Sequence, residues 1–163
     1  MAPEHKQPPP SLQTTALFVT WFGSGWLPWA PGTWGSLAAL PFAWVILAYG
    51  GGSGTLALAS LAIFAIGVWT VEIALQATQA KDPSWIVVDE VVGQWLTLLA
   101  APFSLVGFAA AFLLFRLFDI WKPWPVRWAD RKLGGGLGVM ADDVMAAIYA
   151  AALLEIGRVL LER

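Results

Sequence analysis

The chain divides into four apolar stretches separated by blocks rich in glycine, proline or charge. The apolar stretches cover residues 37–49, 55–71, 91–115 and 144–154. The main polar blocks cover residues 23–36, 81–90 and 116–143. Apolar runs of this kind predict helices buried in an apolar medium. No internal repeat is evident, so we expect one helical domain over residues 15–163, preceded by a disordered, proline-rich tail at residues 1–14.

The stretch at residues 91–115 decides the topology. As one spanning helix, it would place Asp89 and Glu90 on the opposite side of the membrane from Asp119, and these acids could not meet. Pro102 argues against a single helix, because proline lacks a backbone N–H and disfavours helical geometry in the residue before it. Broken at Pro102, the segment folds back and brings all three polar blocks to the same side.

The two halves are predicted to be helices at residues 83–101 and 104–119. Pro83 suits the first turn of the first helix, with Asp82 as its N-cap. At ~1.5 Å per residue these helices reach roughly 24–28 Å, short of the ~30 Å hydrocarbon core. The predicted fold is all-α, a compact bundle of about five short, membrane-embedded helices with polar loops gathered on one side.

Composition supports a membrane location and excludes several classes of function. Hydrophobic residues make up 58% of the 163 residues and charged residues 12%, against roughly 45–50% and about 25% in average soluble domains. Residues 7–71 contain no Asp, Glu, Lys or Arg, and the net charge of −2 argues against a nucleic-acid partner. The lack of cysteine excludes disulfides and thiolate chemistry. The single histidine, His5, lies in the predicted tail, which argues against Ser-His-Asp and phosphohistidine mechanisms.

Basic residues are concentrated in the polar blocks. The expected polar side carries Lys6, Lys81, Arg116, Lys122, Arg127, Arg131 and Lys132. The opposite side receives at most Arg158 and Arg163. Because basic residues favour the cytoplasmic side of a membrane, we expect the polar side to face the cytoplasm. Tryptophans in and beside the same blocks are predicted to anchor the protein at the membrane interface.

Five acids in these blocks form a candidate metal site, with the isolated Glu72 set aside. The five are Asp89, Glu90, Asp119, Asp142 and Asp143. Ionised carboxylates beside a membrane are costly unless they are paired or bound to a cation, so they indicate function. Convergent carboxylates suit a hard cation that prefers oxygen ligands, with Mg²⁺ the first choice.

Basic residues complete the predicted site. Arg116 and Lys122 stand three positions before and three after Asp119, so the three share one helix face. Arg127 is a further candidate for substrate binding. Cations beside a metal cluster suit a phosphate ligand, whose oxygens remain negative after metal binding. The alternative, that each cation neutralises a nearby acid, stays open, above all for Arg131 and Lys132.

Two glycine-rich loops, at residues 30–36 and 134–138, are predicted to direct backbone N–H groups at a phosphate. Each leads into a helix, whose N-terminus favours anions. Thr33 and Ser36 in the first loop are further candidates for substrate binding. Neither loop has the Gly-Lys-Ser/Thr ending of a nucleotide-binding P-loop. The second loop precedes two acids, which suits metal binding better than bare phosphate.

Three segments carry a family resemblance. Residues 23–37 include Ala-Pro-Gly-Thr-Trp-Gly-Ser, and residues 86–93 read Ile-Val-Val-Asp-Glu-Val-Val-Gly. Residues 115–143 begin Phe-Arg-Leu-Phe-Asp-Ile-Trp-Lys-Pro-Trp-Pro-Val and end Gly-Leu-Gly-Val-Met-Ala-Asp-Asp. In composition, order and spacing they resemble the phosphatidylglycerophosphatase A family of bacterial membrane lipid phosphatases. The resemblance covers most of the chain after Thr14, and no charged motif position departs from it.

The resemblance implies Mg²⁺-dependent removal of the terminal phosphate of phosphatidylglycerophosphate, giving phosphatidylglycerol, by an all-helical enzyme of the bacterial inner membrane. It implies that the metal and catalytic acids are Asp89, Glu90, Asp119, Asp142 and Asp143, and that the phosphate contacts are Arg116 and Lys122. Which acid is a ligand and which is a base stays open. Asp89 and Asp143 are the candidates for the base, and Lys122 is expected to stabilise charge on the phosphoryl group.

Two other functions compete with this interpretation. A Mg²⁺-dependent membrane lipid phosphotransferase would use similar carboxylates, but the sequence lacks the extended Asp-Gly…Ala-Arg…Gly…Asp…Asp spacing expected of one. A membrane scaffold or ion-pathway subunit would explain the apolar helices and leave the clustered acids and cations without a purpose. Within the phosphatase interpretation, an aspartyl-phosphate route is disfavoured because no Asp-x-Asp pattern surrounds Asp119. The sequence indicates no oligomeric state.

Overall fold

Every regular element over residues 12–80 and 83–161, the part of the chain described by the computed structural model, is helical. The α-helices are α1 (Gln13–Val19), α2 (Pro31–Tyr49), α3 (Ser53–Thr78), α4 (Val88–Leu98), α5 (Leu105–Trp121), α6 (Val126–Lys132) and α7 (Gly135–Leu161). A short 3-10 helix at Ser24–Trp26 lies between α1 and α2. The predicted all-α class is confirmed. Residues 1–11 of the predicted tail lie outside this part of the chain, and its last two residues belong to α1.

The number and lengths of the helices differ from the expected five short ones. Three helices are long and apolar enough to cross a membrane, namely Pro31–Tyr49, Ser53–Thr78 and Gly135–Leu160. Helices α2 and α7 are longer than the apolar stretches because both begin inside the glycine-rich blocks. Helix α3 is longer because it continues to Thr78. Pro31, as the first helical residue of α2, has a fixed φ that suits that position. Short helices are found only for the remaining elements, including α4 with 11 residues and α5 with 17.

The predicted break in the third apolar stretch is confirmed, since α4 ends at Leu98 and α5 begins at Leu105. Within the turn, the backbone N–H groups of Leu99, Ala100 and Ala101 donate to carbonyls one turn earlier. The Ser104 side chain then caps α5 by accepting a hydrogen bond from the Gly107 N–H at 3.0 Å. Because the stretch is broken here, α4 and α5 form a hairpin, and the start of α4 and the end of α5 lie at the same end of the bundle.

The start of α4 differs from the prediction. Residues 83–87 are not helical, so the expected first turn at Pro83 is wrong, and Asp82 lies outside the described residues. The reason is a long-range contact, because the Val87 N–H donates to the Val19 carbonyl at 2.9 Å and ties this segment to the end of α1. The helix therefore begins at Val88, one residue before the first of the candidate acids.

Helix α4 is the centre of the bundle and packs against α2, α3, α5 and α7. Its side chains Val91, Trp95 and Leu98 are buried in one apolar cluster with residues of α2 and α5. The Trp95 indole N–H donates to the Ala39 carbonyl of α2 at 2.9 Å in the buried interior. This hydrogen bond fixes the rotation of α4 relative to α2, and so the direction in which the acids at its start point.

The outer surfaces of the long helices are apolar. Large exposed side chains there include Val45 on α2, Leu58 and Trp69 on α3, and Ile148 and Ile156 on α7. A soluble monomer rarely exposes contiguous apolar surface on this scale. Together with the lengths of these helices, this surface indicates a membrane protein.

Replacing Trp95 with phenylalanine tests the buried hydrogen bond. Trp95→Phe removes the donor and leaves a small void, so we expect a loss of about 1–3 kcal/mol of stability. The measurement is the thermal unfolding midpoint of the purified protein in detergent. Trp69→Phe is the matched control because that side chain is 67% exposed. Equal midpoints for the two variants would contradict the role given to Trp95.

Candidate active site

A cavity of about 520 Å³ lies where α2, α4, α5 and α7 meet at one end of the bundle. Its charged lining residues are Asp89, Glu90, Arg116, Asp119, Lys122, Asp142 and Asp143. The structure therefore brings together all five predicted acids and two of the predicted phosphate contacts. The hairpin turn at Pro102 makes this possible, because it returns α5 to the end at which α4 begins.

Three of the acids are arranged to hold a cation. Asp89, Glu90 and Asp143 each offer one carboxylate oxygen, and these oxygens lie within 4.8 Å of one another. Asp89 Oδ1, Glu90 Oε2 and Asp143 Oδ2 are buried and accept no hydrogen bond from the described part of the chain. Buried oxygens without donors are uncommon in native proteins, and a cation held between these three would satisfy them.

The two acids at the start of α4 show how unfavourable the cluster is without a cation. Helix α4 is too short to span a bilayer, and these acids lie outside the three candidate spans. Burial is the main cause that raises the pKa of Glu90 from 4.5 to about 8. Burial, followed by the charge of Glu90, raises the pKa of Asp89 well above its usual value. A cation bound between them would favour the ionised forms.

The donor set fits Mg²⁺. It consists of carboxylate oxygens, which are the protein ligands that a hard divalent cation prefers. No thiolate competes, because the chain has no cysteine. Asp89, Glu90 and Asp143 are therefore the residues that would hold the ion.

Asp119 and Asp142, also predicted as metal ligands, each have one oxygen in an ion pair. Arg116 Nη1 lies 2.5 Å from Asp119 Oδ2 and 3.8 Å from Glu90 Oε1. Lys122 Nζ donates a hydrogen bond to Asp142 Oδ2 at 2.7 Å. The five acids thus form two groups, three around the candidate cation position and two that hold the cations beside it.

The local sequence explains why the cations lie in the cavity. Arg116 and Asp119 are three residues apart on α5 and share a helix face, so their side chains meet. Lys122 follows the last residue of α5 in the left-handed conformation, with φ of 47°, and ends the helix there. That change of direction allows its ammonium group to reach α7.

The glycine-rich segment predicted as a loop at residues 30–36 is the first part of α2. A Cβ on Gly32 would lie 2.0 Å from Glu90 Oε1, so a larger residue there would displace the Glu90 carboxylate. Ser36 is buried and donates to the Gly32 carbonyl at 2.9 Å. Neither Thr33 nor Ser36, both predicted to bind substrate, belongs to the described lining of the cavity.

The second glycine-rich segment is also the start of a helix rather than a loop. Helix α7 begins at Gly135, which has φ of 67°, and Gly134, Gly135 and Gly138 line the cavity. Arg127, the remaining predicted contact, lines a neighbouring cavity together with Lys122.

Glu72, which is not among the predicted site residues, supports the site from α3. Its Oε2 accepts a hydrogen bond from the Gly136 N–H at 2.8 Å and so satisfies a free donor in the first turn of α7. A Cβ on Gly136 would lie 2.1 Å from the Val68 carbonyl, which shows how closely the two helices approach. The signal that could have found Glu72 is its charge within a long apolar helix.

The fold and the site define a helical membrane protein with a polar site suited to binding a cation and an anionic group. The chain belongs to the phosphatidylglycerophosphatase A family, whose sequence model matches residues 17–158. It is therefore an enzyme, a phosphoric monoester hydrolase.

Curated relatives agree with this assignment. The chain is 41% identical to phosphatidylglycerophosphatase A of Escherichia coli over 85% of this chain and 80% of that protein. It is 42% identical to phosphatidylglycerophosphatase A of Haemophilus influenzae over 88% of each chain. A Bacteroides thetaiotaomicron protein, provisionally named as a phosphatidylinositol-3-phosphatase, is 42% identical over 87% of this chain and 92% of its own length. No solved structure matches the chain.

Gly32→Ala tests the close approach of α2 to the acids. The added methyl would displace the Glu90 carboxylate, and a shift of about 1 Å in a catalytic group can lower activity roughly a hundredfold. Phosphate release by the purified variant is the measurement. Gly157→Ala serves as the control, because a Cβ there has no neighbour within 4 Å. Wild-type activity in Gly32→Ala would contradict the geometry described.

Glu72→Ala tests the support from α3. Losing the acceptor leaves the Gly136 N–H unpaired and loosens the start of α7, so we expect phosphate release to fall about tenfold. Glu72→Gln keeps a carbonyl acceptor and should stay within about threefold of wild type. Glu155→Ala, near the other end of α7, is the control. Equal losses in the alanine and glutamine variants would show that Glu72 acts through its charge instead.

Proposed function

We propose that this protein removes the terminal phosphate of phosphatidylglycerophosphate in a Mg²⁺-dependent reaction and leaves phosphatidylglycerol. The observation that carries the proposal is the cluster of three carboxylate oxygens within 4.8 Å of one another, in the same cavity as Arg116 and Lys122. The family, and the substrate named for two of the relatives, support the choice of this lipid.

Asp89, Glu90 and Asp143 would hold the ion in the proposed site. When bound, Mg²⁺ supplies a Lewis acid that polarises the phosphate and lowers the pKa of a coordinated water. A carboxylate oxygen of the cluster that is not bound to the ion would accept the proton of the attacking water. Asp89 and Asp143 are both placed for this role, since each has a buried oxygen that accepts no hydrogen bond from the described residues.

Arg116 and Lys122 would stabilise the charge on the phosphoryl oxygens. Both point into the cavity, and their ion pairs with Asp119 and Asp142 hold them there before substrate arrives. Preorganised cations of this kind need little rearrangement as charge develops in the transition state. Asp119 and Asp142 therefore orient the cations in this proposal, and a substrate phosphate would share those cations with them.

We propose a multi-pass position in the bacterial inner membrane with the site on the cytoplasmic side. Described cations near the site end include Arg116, Lys122 and Arg127, whereas Arg158 lies in the last turn of α7. Helix α7 has 27 residues, about 40 Å at 1.5 Å per residue, which is enough to cross the hydrocarbon core. The larger number of cations at the site end matches the cytoplasmic preference of basic residues.

Phosphate release from phosphatidylglycerophosphate, with Mg²⁺ or with a chelator, tests the proposed reaction. We expect turnover only with Mg²⁺, and a loss of about a thousandfold or more in Asp143→Asn and Asp119→Ala. Mg²⁺ should also raise the Tm of the wild type and not that of Asp143→Asn, because ligand binding stabilises only a chain that binds it. Glu155→Gln, far along α7, is the control for expression and folding.

Outcomes that would overturn the proposal are specific. Full turnover with a chelator would show that the reaction needs no metal ion. Retained turnover in both acid variants would show that the acid cluster is not the catalytic site. Nucleotide-dependent lipid synthesis without phosphate release would identify a phosphotransferase. Faster phosphate release from phosphatidylinositol 3-phosphate than from phosphatidylglycerophosphate would show that the preferred substrate is the one named for the Bacteroides relative.

A further inference from the structure

A second cavity of about 530 Å³ adjoins the active site on the side of α6. Its lining includes three tryptophans, Trp121, Trp124 and Trp128, and three cations, Lys122, Arg127 and Lys132. Lys122 lines both cavities, so the two are direct neighbours. We call this second space the cationic cavity.

The charge of the cationic cavity is opposite to that of the active site. Among the residues whose side chains the structure describes, its lining contains three cations and no acid. The active-site cavity, in contrast, contains five acids and two cations. A group that binds in the cationic cavity is therefore an anion that needs no metal ion to hold it.

Its tryptophans place the cationic cavity at the membrane interface. The indoles of Trp121 and Trp124 are 61% and 80% exposed, beside the apolar end of a membrane bundle. Exposed tryptophans in such a position lie at the level of lipid headgroups. The turn that carries them is anchored, because the Tyr149 hydroxyl of α7 donates to the Trp124 carbonyl at 2.8 Å and Phe118 stacks on Trp121. The cavity thus combines headgroup depth, positive charge and attachment to α5 and α7.

We propose that the cationic cavity binds the phosphodiester of the lipid whose terminal phosphate lies in the active site, through Arg127 and Lys132. This inference rests on the proposed function. Phosphatidylglycerophosphate carries two phosphate groups joined by a single glycerol, and the structure offers two adjoining cavities that share Lys122. The phosphodiester also links the headgroup to the diacylglycerol, whose acyl chains lie in the membrane, which agrees with the depth of the tryptophans.

The proposal makes Arg127 and Lys132 specificity residues. A phosphomonoester alone would occupy only the carboxylate site, whereas a lipid with a second phosphate one glycerol away would bind both cavities. The binding contributed by the second phosphate would then favour this lipid over other phosphomonoesters.

Inhibition of phosphate release separates the two cavities. Phosphatidylglycerol keeps the phosphodiester and lacks the monoester, and inorganic phosphate resembles the group cleaved at the carboxylate site. Both are titrated against wild type and the double variant Arg127→Gln/Lys132→Gln in neutral detergent micelles, with diacylglycerol of the same acyl chains as the uncharged comparison. We expect the inhibition constant of phosphatidylglycerol to rise roughly tenfold for each cation removed. That of inorganic phosphate should stay the same.

Two further variants serve as controls. Arg127→Lys keeps the charge and should retain most of the affinity for phosphatidylglycerol. Arg158→Gln removes a cation at the other end of α7 and should leave both inhibition constants unchanged.

Three results of the inhibition experiment would overturn the proposal. Unchanged inhibition by phosphatidylglycerol in the double variant would show that the cavity does not bind the phosphodiester. An equal rise for inorganic phosphate would assign the cations to the monoester site, and an equal rise for diacylglycerol would assign the cavity to the acyl chains. A wild type that releases no phosphate from phosphatidylglycerophosphate would instead defeat the proposed function. In that case, the binding of phosphatidylglycerol to the wild type and the double variant is titrated directly. Equal affinities would show that the cavity does not bind the phosphodiester.

Discussion

Gathering five carboxylates in one cavity beside an apolar layer is the constraint on which the rest of the structure depends. Such groups are unfavourable unless cations or donors accompany them. Arg116 and Lys122 meet this need for Asp119 and Asp142, and each of the other three acids places one carboxylate oxygen within 4.8 Å of the others. The surrounding helices hold that arrangement by approaching more closely than ordinary side chains allow, as at Gly32 against Glu90. The glycines in the polar blocks are therefore part of the packing around the charge.

Much of the site followed from the sequence because charges are scarce in this chain. With charged residues at only 12% of the chain and most of them in three blocks, a shared site was the simplest arrangement of the acids. Pro102 marked the position at which the chain could fold back and bring those blocks together. The structure bears out both points. Spacing on a helix face also identified Arg116, because that spacing is a local property that the sequence shows directly. The shared helix face predicted for Lys122 is wrong, because α5 ends at Trp121 and Lys122 pairs with Asp142 of α7 instead.

What the sequence did not reveal depends on contacts between distant segments. The glycines at 30–36 and 134–138 indicate loops when considered locally, yet close packing against Glu90 and Val68 makes helix the favoured state there. The late start of α4 depends on the Val87 N–H finding a carbonyl on α1. Glu72 gained its role only through Gly136, which lies far along the chain. No local pattern shows such pairings, because each is created by the fold.

The turn between α4 and α5 has a consequence for how the protein enters a membrane. Its tip is apolar and uncharged, with Phe103 and Leu105 exposed, and its N–H groups at Leu99, Ala100, Ala101 and Ser104 already donate to carbonyls within the turn. Pro102 has no N–H to satisfy. Pairing of these groups lowers the cost of placing an irregular backbone segment in hydrocarbon. The hairpin can thus insert from the side of the acids without translocating any charged group across the apolar layer.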